Sequence, residues 1–298
     1  MISVGIDIGG TSVKVAALQD GQLLWSGQSG FYARPTTEQL IQAIWDATQN
    51  ATHGRWEKGE LGAKDDIKVG MCCPGLLDRE KRIITLSVNV PGLMNVPLDE
   101  LASRGLGKQV DDIWLGSDAV AGTYDIADAK GYTARVCGIA IGTGVGGAVL
   151  DDGTPLAISG ASPGHFGQLD VTLPDEPDTL GPDGGQGSLE GYLGVAALKK
   201  RYATEDLSQP LAIMKATDAP MRALARAVRI AHAIYRPQHF ILLGGLGIRL
   251  GHVVPSLKAE ISRNLTRVAR EGWTLTAGTD DYHNARGAAK LAIRAAAR

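Results

Sequence analysis

The chain has 298 residues and a formal net charge of -2, with 44% hydrophobic and 21% charged residues. Those proportions belong to an ordinary globular protein of about two domains, not to a disordered or membrane-embedded chain. Lysine and arginine are spread along the sequence instead of gathered in a basic tract, which argues against a nucleic-acid binder.

In chain order, MISVGIDIGG has no basic segment ahead of its apolar residues and carries Asp7 among them, so it reads as a buried strand and not as a signal peptide. No apolar run approaches the length of a membrane span. The segment from Val4 to Gly21, VGIDIGGTSVKVAALQDG, has a counterpart from Cys137 to Gly153, CGIAIGTGVGGAVLDDG. Each reads as strand, glycine-rich turn, strand and Asp-Gly hairpin turn, an internal duplication. TTEQLIQAIWDATQNA follows as a helix capped by Thr36 or Thr37, with Leu40, Ile41, Ile44 and Ala47 at helical spacing. DDIKVGMCCPG is a strand closed by Pro-Gly, LDELASRGLG a short helix, and DDIWLGSD a strand running into the Ser117-Asp118 turn. Strands alternating with helices make an α/β protein. The three cysteines, Cys72, Cys73 and Cys137, form neither a disulfide framework nor a metal-ligand spacing, which suits a cytoplasmic location.

Beyond the second hairpin, the Gly, Pro and Asp-rich stretch from Ser159 to Gly187 is long enough to suggest a functional loop. Helices are expected over SLEGYLGVAALKKRYA, over APMRALARAVRIAHAIY and from about Pro255 to Arg270, with the strand HFILLGG between the last two. The Ala-rich ARGAAKLAIRAAAR ends the chain as a further helix.

Three places carry chemistry. Asp7 within an apolar strand is costly to bury unless a cation or hydrogen-bond donors meet it, and a hydrated Mg²⁺ would do so. Gly9, Gly10 and Thr11 would then let backbone N–H groups and a hydroxyl approach phosphate oxygens, although a plain tight hairpin uses the same residues. GTGVGGAV repeats the device, with Gly142, Gly144, Gly146 and Gly147 around Thr143. It is neither a Walker A loop nor a dinucleotide fingerprint. Two such turns suit a nucleotide held between two domains. Asp118 follows a strand and precedes the small residues Ala119, Ala121 and Gly122, so it is either a reactive carboxylate at a strand end or a helix N-cap.

GIDIGGTSVK, CPGLLD with NVPG, SDA, GIAIGTGVGG, FILLGGLG and NARGAAKLA stand in an order and spacing that resembles the sugar kinases of the ROK family (repressors, open reading frames and kinases) over nearly the whole chain. The resemblance implies a two-domain actin-like ATPase (ribonuclease H-like) fold, with ATP and sugar in an interdomain cleft. It implies a small domain of residues 1–116 plus 284–298 and a larger one of residues 117–283. By the same resemblance Asp7, Gly9, Gly10, Thr11 and Lys14 form the first phosphate segment, with Asp7 organising Mg²⁺ through water. Thr143 and Gly144 form the second, and Gly244, Gly245 and Gly247 lie near the adenosine. Asp118 would be the base that accepts the proton of a sugar hydroxyl held in line for phosphoryl transfer. Asn89, in VNVPG, would stand near the sugar or form an Asx turn.

The chain also departs from the family pattern. The usual Asn-Asp pair is Ser117-Asp118. The usual GEIGH is GHFGQ, which puts His165 and Gln168 where the family has a sugar-binding Glu and a His shared by sugar and zinc. The cysteine-rich zinc segment looks like GPDGGQGSLE, with Gly181, Asp183 and Ser188 at the thiolate positions and Glu190 retained. Structural zinc needs soft N or S ligands, so none is expected. The expected sugar shell is Asn89, Ser117, Asp118, His165, Gln168 and Glu190. His165 is either a loop residue or a sugar-facing hydrogen bonder able to change charge. The implied reaction is transfer of the γ-phosphoryl group of ATP to a hydroxyl of a hexose or related sugar. Alternatives are a non-catalytic sensor of the same fold and a carboxylate kinase of the wider superfamily. A DNA-binding repressor of the family would need a helix-turn-helix ahead of a strand that here begins at Ile2. A homodimer is expected, with no nucleic-acid or membrane partner.

Overall fold

The computed structural model describes residues 1–60, 67–156, 164–177, 179–181 and 184–297. The chain forms two compact units, Met1–Asp125 with Tyr282–Arg298, and Ile126–Asp281.

The first unit is built on a five-stranded sheet in the order β3-β2-β1-β4-β7. β1 (Ile2–Ile8), β2 (Val13–Gln19) and β3 (Gln22–Gln28) form an antiparallel meander, while β4 (Ile67–Cys72) and β7 (Trp114–Gly116) continue parallel to β1. Asp20 and Gly21 join β2 to β3 with φ values of 51° and 81°. Positive φ at both positions is what the type I′ Asp-Gly hairpin requires. α1 (Thr37–Thr52) starts from a capping box in which Thr36 accepts from the Gln39 amide and the Gln39 side chain reaches back to Thr36. Thr37 instead donates its hydroxyl to the Gly92 carbonyl at 2.8 Å. A small hairpin of β5 (Leu76–Asp78) and β6 (Ile83–Leu86), then α2 (Leu98–Leu106), lead to β7 and α3 (Asp118–Ala129). The core under α1 and α2 gathers Ile6, Ile8, Leu40, Ile44, Leu98 and Trp56, whose indole N–H donates to the Leu106 carbonyl at 2.8 Å.

In the second unit the sheet order is β10-β9-β8-β11-β12. β8 (Val136–Ile141), β9 (Val145–Asp151) and β10 (Thr154–Pro155) are antiparallel, and β11 (His239–Leu243) and β12 (Thr274–Ala277) run parallel to β8. The two repeated hairpins thus open two copies of one topology. The sheet is packed by α4 (Leu189–Leu193), α5 (Val195–Tyr202), α6 (Ser208–Ala212), α7 (Ala219–Tyr235), α8 (Gly244–Gly247) and α9 (Val254–Arg263). The helix expected over residues 188–203 is two, because Gly194 is extended at ψ 152° between them. α9 ends short of Arg270, where the Asn264 side-chain amide donates to the Glu260 carbonyl and the chain turns into a 3₁₀ segment at Arg267–Ala269.

α10 (His283–Ala296) returns to the first unit and lies on its sheet. Gly5 and Gly70 are register partners on β1 and β4. A Cβ on Gly5 would sit 1.7 Å from the Ala285 carbonyl oxygen, so only glycine admits the helix at this distance. The division between units falls inside α3, after Asp125, whereas the family resemblance implies one near Gly116. The reason is visible at Ala121, whose carbonyl lies where a Cβ on Gly287 of α10 would be, so the start of α3 belongs with α10. Among the described residues no helix is long and apolar enough to cross a membrane.

Candidate active site

In the first unit Asp7 stands near the C-terminal end of the central strand, opposite Lys14 on one side and Cys72 on the other. It is 6% exposed. Its Oδ2 accepts from Asn284 Nδ2 at 3.2 Å and its Oδ1 from the Cys72 thiol at 3.6 Å. Burial, followed by the negative charge of Asp118, pushes its carboxyl up to about 6, while Lys14, Asn284 and Cys72 pull it back. A buried hard oxygen donor whose protein partners leave its charge under-compensated fits a hydrated Mg²⁺. Burial also pushes the Cys72 and Cys73 thiols up, and the charges of Asp7 and Asp118 add to it, so both remain neutral. Neither suits nucleophilic work.

The turn after Asp7 is braced from behind. Gly9 N–H donates to the Ser12 carbonyl at 3.0 Å, the Tyr32 hydroxyl donates to the Gly9 carbonyl at 2.8 Å, and the Tyr32 amide donates to the Thr11 carbonyl at 2.8 Å. The amides of Gly10 and Thr11 and the exposed Thr11 hydroxyl take no partner among the described residues. Donors so placed can face an anion.

Asp118 opens α3 directly after β7. The cap of this helix is supplied by Ser117, whose hydroxyl accepts from the Val120 amide at 3.3 Å. The sequence alternative of Asp118 as the cap therefore passes to its neighbour, and the sugar contact expected of Ser117 competes with that bond. Asp118 Oδ1 accepts from the Ala119 amide at 2.7 Å. Crowding by protein pushes the Asp118 carboxyl up, and the Ala119 amide and its own amide oppose the shift. The Asp118 side chain is exposed to solvent. Asn89 is exposed after β6 and makes no side-chain hydrogen bond with the described residues, so no Asx turn is formed there.

In the second unit the Gly142–Gly144 turn is closed by Gly142 N–H donating to the Gly144 carbonyl at 2.9 Å, with Thr143 exposed at its tip. Glu190, expected in the sugar shell, is stitched to this turn: its Oε2 accepts from the Val145 amide at 2.8 Å. A Cβ on Gly144 would lie 2.7 Å from the same oxygen. Gly244, at φ 81°, passes so close to Ile141 that a Cβ would be 2.6 Å from its carbonyl oxygen, which sets α8 beside the turn. Gly245 is exposed and Gly247 buried within α8. His165 and Gln168 are both exposed, at either end of the 3₁₀ segment Phe166–Gln168.

Of the positions matching the zinc segment, Asp183 lies outside the described residues. Ser188 is buried and its hydroxyl caps α4 by accepting from the Gly191 amide at 3.2 Å. Gly181 supplies no donor atom and abuts that hydroxyl. Such a donor set does not suit zinc. The stretch is stitched instead by backbone bonds, Val171 N–H to Gly187 O at 2.9 Å, Gly187 N–H to Thr179 O at 2.8 Å and Leu189 N–H to Leu169 O at 2.9 Å.

Tyr32 braces the first turn, while Cys72 and Asn284 hold Asp7, and no local sequence signal marks any of the three for that role. Asn284 opens NARGAAKLA, at the start of α10.

The sequence profile of the ROK family matches residues 3–295. A glucokinase of Thermotoga maritima is 30% identical over 66% of this chain and 58% of its own length. An N-acetyl-D-glucosamine kinase of Escherichia coli is 27% identical over 96% of this chain and 98% of its own. The crystal structure of a ROK family glucokinase from Streptomyces griseus, in complex with glucose and AMPPNP, superposes with a TM-score of 0.71 at 21% identity, covering 99% of this chain and 100% of that one. The fold is shared.

Proposed function

Because the chain belongs to the ROK family, we propose that it is an ATP-dependent sugar kinase that transfers the γ-phosphoryl group to a hydroxyl of a hexose or related sugar. The observation that carries this reading is the arrangement within the first unit: a buried carboxylate, Asp7, near the C-terminal end of β1 and an exposed one, Asp118, just beyond the C-terminal end of β7, two strands that run in the same direction in one sheet, with a turn bearing open backbone donors directly after Asp7. Phosphoryl transfer asks the protein for positioning and charge stabilisation, and two carboxylates in different surroundings divide that work.

Asp118 would accept the proton of the sugar hydroxyl as its oxygen attacks. Its Oδ1 is held by the Ala119 amide, which fixes the carboxylate while leaving Oδ2 for the hydroxyl. Asp7 would orient the hydrated Mg²⁺, and Gly9, Gly10, Thr11 and Lys14 would face the phosphates. Mg²⁺ and ATP, when bound, supply the transferred group and neutralise its charge. Thr143 and Gly144 would contact phosphate from a turn that Glu190 holds closed, and Gly244, Gly245 and Gly247 would lie near the adenosine. Asn89, Ser117, His165 and Gln168 would meet the sugar. With an imidazole and an amide where the resembled family pattern has Glu and His, we infer a preference other than glucose, since a site built for one donor pattern leaves groups unpaired with another.

The direct test is ADP release by the wild-type protein with Mg²⁺ and ATP over hexoses, amino sugars and polyols, with the product identified by ³¹P NMR. Sugar-dependent ADP release with a sugar phosphate formed supports the reading. ATP and sugar that bind without turnover would favour the non-catalytic sensor, for which the altered residues at 165 and 168 speak.

A further inference from the structure

We propose that Asp125 is a positioning residue for both acids of the site, an ionic rivet that fixes α3, which carries Asp118, against α10, which carries Asn284 and through it Asp7. The inference rests on the phosphotransfer reading above. Asp118 and Asp125 lie about two turns apart on α3, hence on one side of the helix and about 10 Å apart along its axis. The Asp125 side chain is 2% exposed, and its Oδ2 meets His283 Nδ1 at 2.7 Å and Arg286 Nε at 3.0 Å while its Oδ1 meets Lys290 Nζ at 2.9 Å. His283, Arg286 and Lys290 follow one another at spacings of three and four residues, so they form one face of α10. Gly287 stands on α10 between Arg286 and Lys290 and lets the helix backbones meet at Ala121. The residue after His283 is Asn284, whose amide donates to Asp7 Oδ2 at 3.2 Å. A continuous path of contacts therefore runs Asp118, α3, Asp125, α10, Asn284, Asp7, all within the first unit.

Burial works against the charge of Asp125, but the His283 hydrogen bond, followed by Lys290 and Arg286, outweighs it and holds the carboxyl below its ordinary range. Buried ion clusters are a poor source of stability, since well-packed apolar residues do as well or better. What this one supplies is register: a single carboxylate must meet three side chains of α10 at once, so α10 can neither slide nor rotate on α3 without losing contacts. Small errors of placement matter at a phosphoryl-transfer site, where about 1 Å can cost on the order of 100-fold in rate.

The test compares Asp125→Asn, Asn284→Ala, the double variant and Lys290→Met, with Asp99→Asn as control. The control breaks the Arg82–Asp99 ion pair elsewhere in the same unit. Asp125→Asn should lower kcat by about 10- to 100-fold with KM for sugar changed by less than about threefold. Lys290→Met should lower kcat by about 3- to 10-fold, and it carries the test if Asp125→Asn does not fold, because His283 and Arg286 stay on the carboxylate. The double variant should be no slower than the worse single one, since both act through the same contact path. Calorimetric binding of Mg²⁺ with a non-hydrolysable ATP analogue should weaken in Asp125→Asn, Asn284→Ala and Lys290→Met, whereas Asp99→Asn should lose Tm but neither kcat nor Mg²⁺ affinity. Folded variants at Asp125 or Lys290 with wild-type kcat and Mg²⁺ affinity, or losses that multiply independently in the double variant, overturn the proposal. A wild type that phosphorylates no sugar refutes the phosphotransfer reading instead, and the Mg²⁺-nucleotide affinities then decide the rivet by themselves.

Discussion

Gly5→Ala should be among the most damaging single-methyl additions in the first unit. The added carbon would sit 1.7 Å from the Ala285 carbonyl oxygen and 2.7 Å from the Ala289 nitrogen, both backbone atoms of α10. Ordinary contact needs about 3.5 Å, so the helix must retreat by well over 1 Å or the central strand must buckle. Overpacking of a tight core costs about 1–3 kcal/mol, occasionally more, and a clash with backbone belongs at the upper end. In a unit of this size each kcal/mol lowers Tm by roughly 4 °C, so a fall of about 10 °C is expected. Because the retreating helix carries Asn284, activity should fall further than the lost stability explains. Gly30→Ala is the control, since nothing lies within 4 Å of its Cβ position, and it should stay within about 0.5 kcal/mol of wild type. Thermal unfolding followed by circular dichroism, with kcat measured well below Tm, reads both effects. A Gly5→Ala protein that melts with wild type would refute the packing of α10 on β1 described above.

Three further outcomes follow from the same geometry. Glu190→Ala removes the acceptor of the Val145 amide, so the second turn should loosen and KM for ATP should rise about tenfold; an unchanged KM for ATP would show that this bond does not shape the phosphate turn. Purified protein should carry no stoichiometric zinc, and chelation in Mg²⁺-free buffer should leave Tm unchanged; elemental analysis showing about one zinc per chain would contradict the donor chemistry at Gly181 and Ser188. Asp7, raised from 3.8 to about 6 in the folded metal-free protein, favours folding only while protonated, so its contribution is full below about pH 4 and is lost as pH rises through about 6. The loss amounts to about 3 kcal/mol and should be absent in Asp7→Asn; denaturant titrations at pH 4.5 and 7.5 that show the same pH slope in both proteins would remove Asp7 as its source.

The elements legible in the sequence were those whose signal is local. Asp20-Gly21 and Asp152-Gly153 each demand a type I′ hairpin, and the positive φ values at all four residues follow. Thr36 with Gln39, and the apolar spacing from Leu40 to Ala47, define α1 to within a residue or so. What stayed hidden depends on partners distant in the chain. Gly5 and Gly70 look like weak points of strands until α10, more than two hundred residues later, is laid across them. β12 is a short strand paired with β11 at the sheet edge, and WTLTAG carries no periodicity long enough to announce it. Glu190 could be placed by resemblance, yet nothing local to it indicates that its acceptor oxygen closes the turn at Val145. Ser117 and Asp118 are both competent caps, and only the bond to the Val120 amide decides between them.

The central claim is that Asp118 takes the proton from a sugar hydroxyl while Asp7 and the first turn organise the phosphates. Asp118→Asn keeps the shape of the side chain and can still accept from the Ala119 amide, but it cannot take the proton. The most direct measurement is kcat of Asp118→Asn beside its calorimetric affinity for Mg²⁺ and a non-hydrolysable ATP analogue. Turnover should drop by about 10²- to 10⁴-fold while nucleotide affinity stays within about threefold of wild type. A variant that turns over at the wild-type rate, with nucleotide affinity intact, would take Asp118 out of the mechanism.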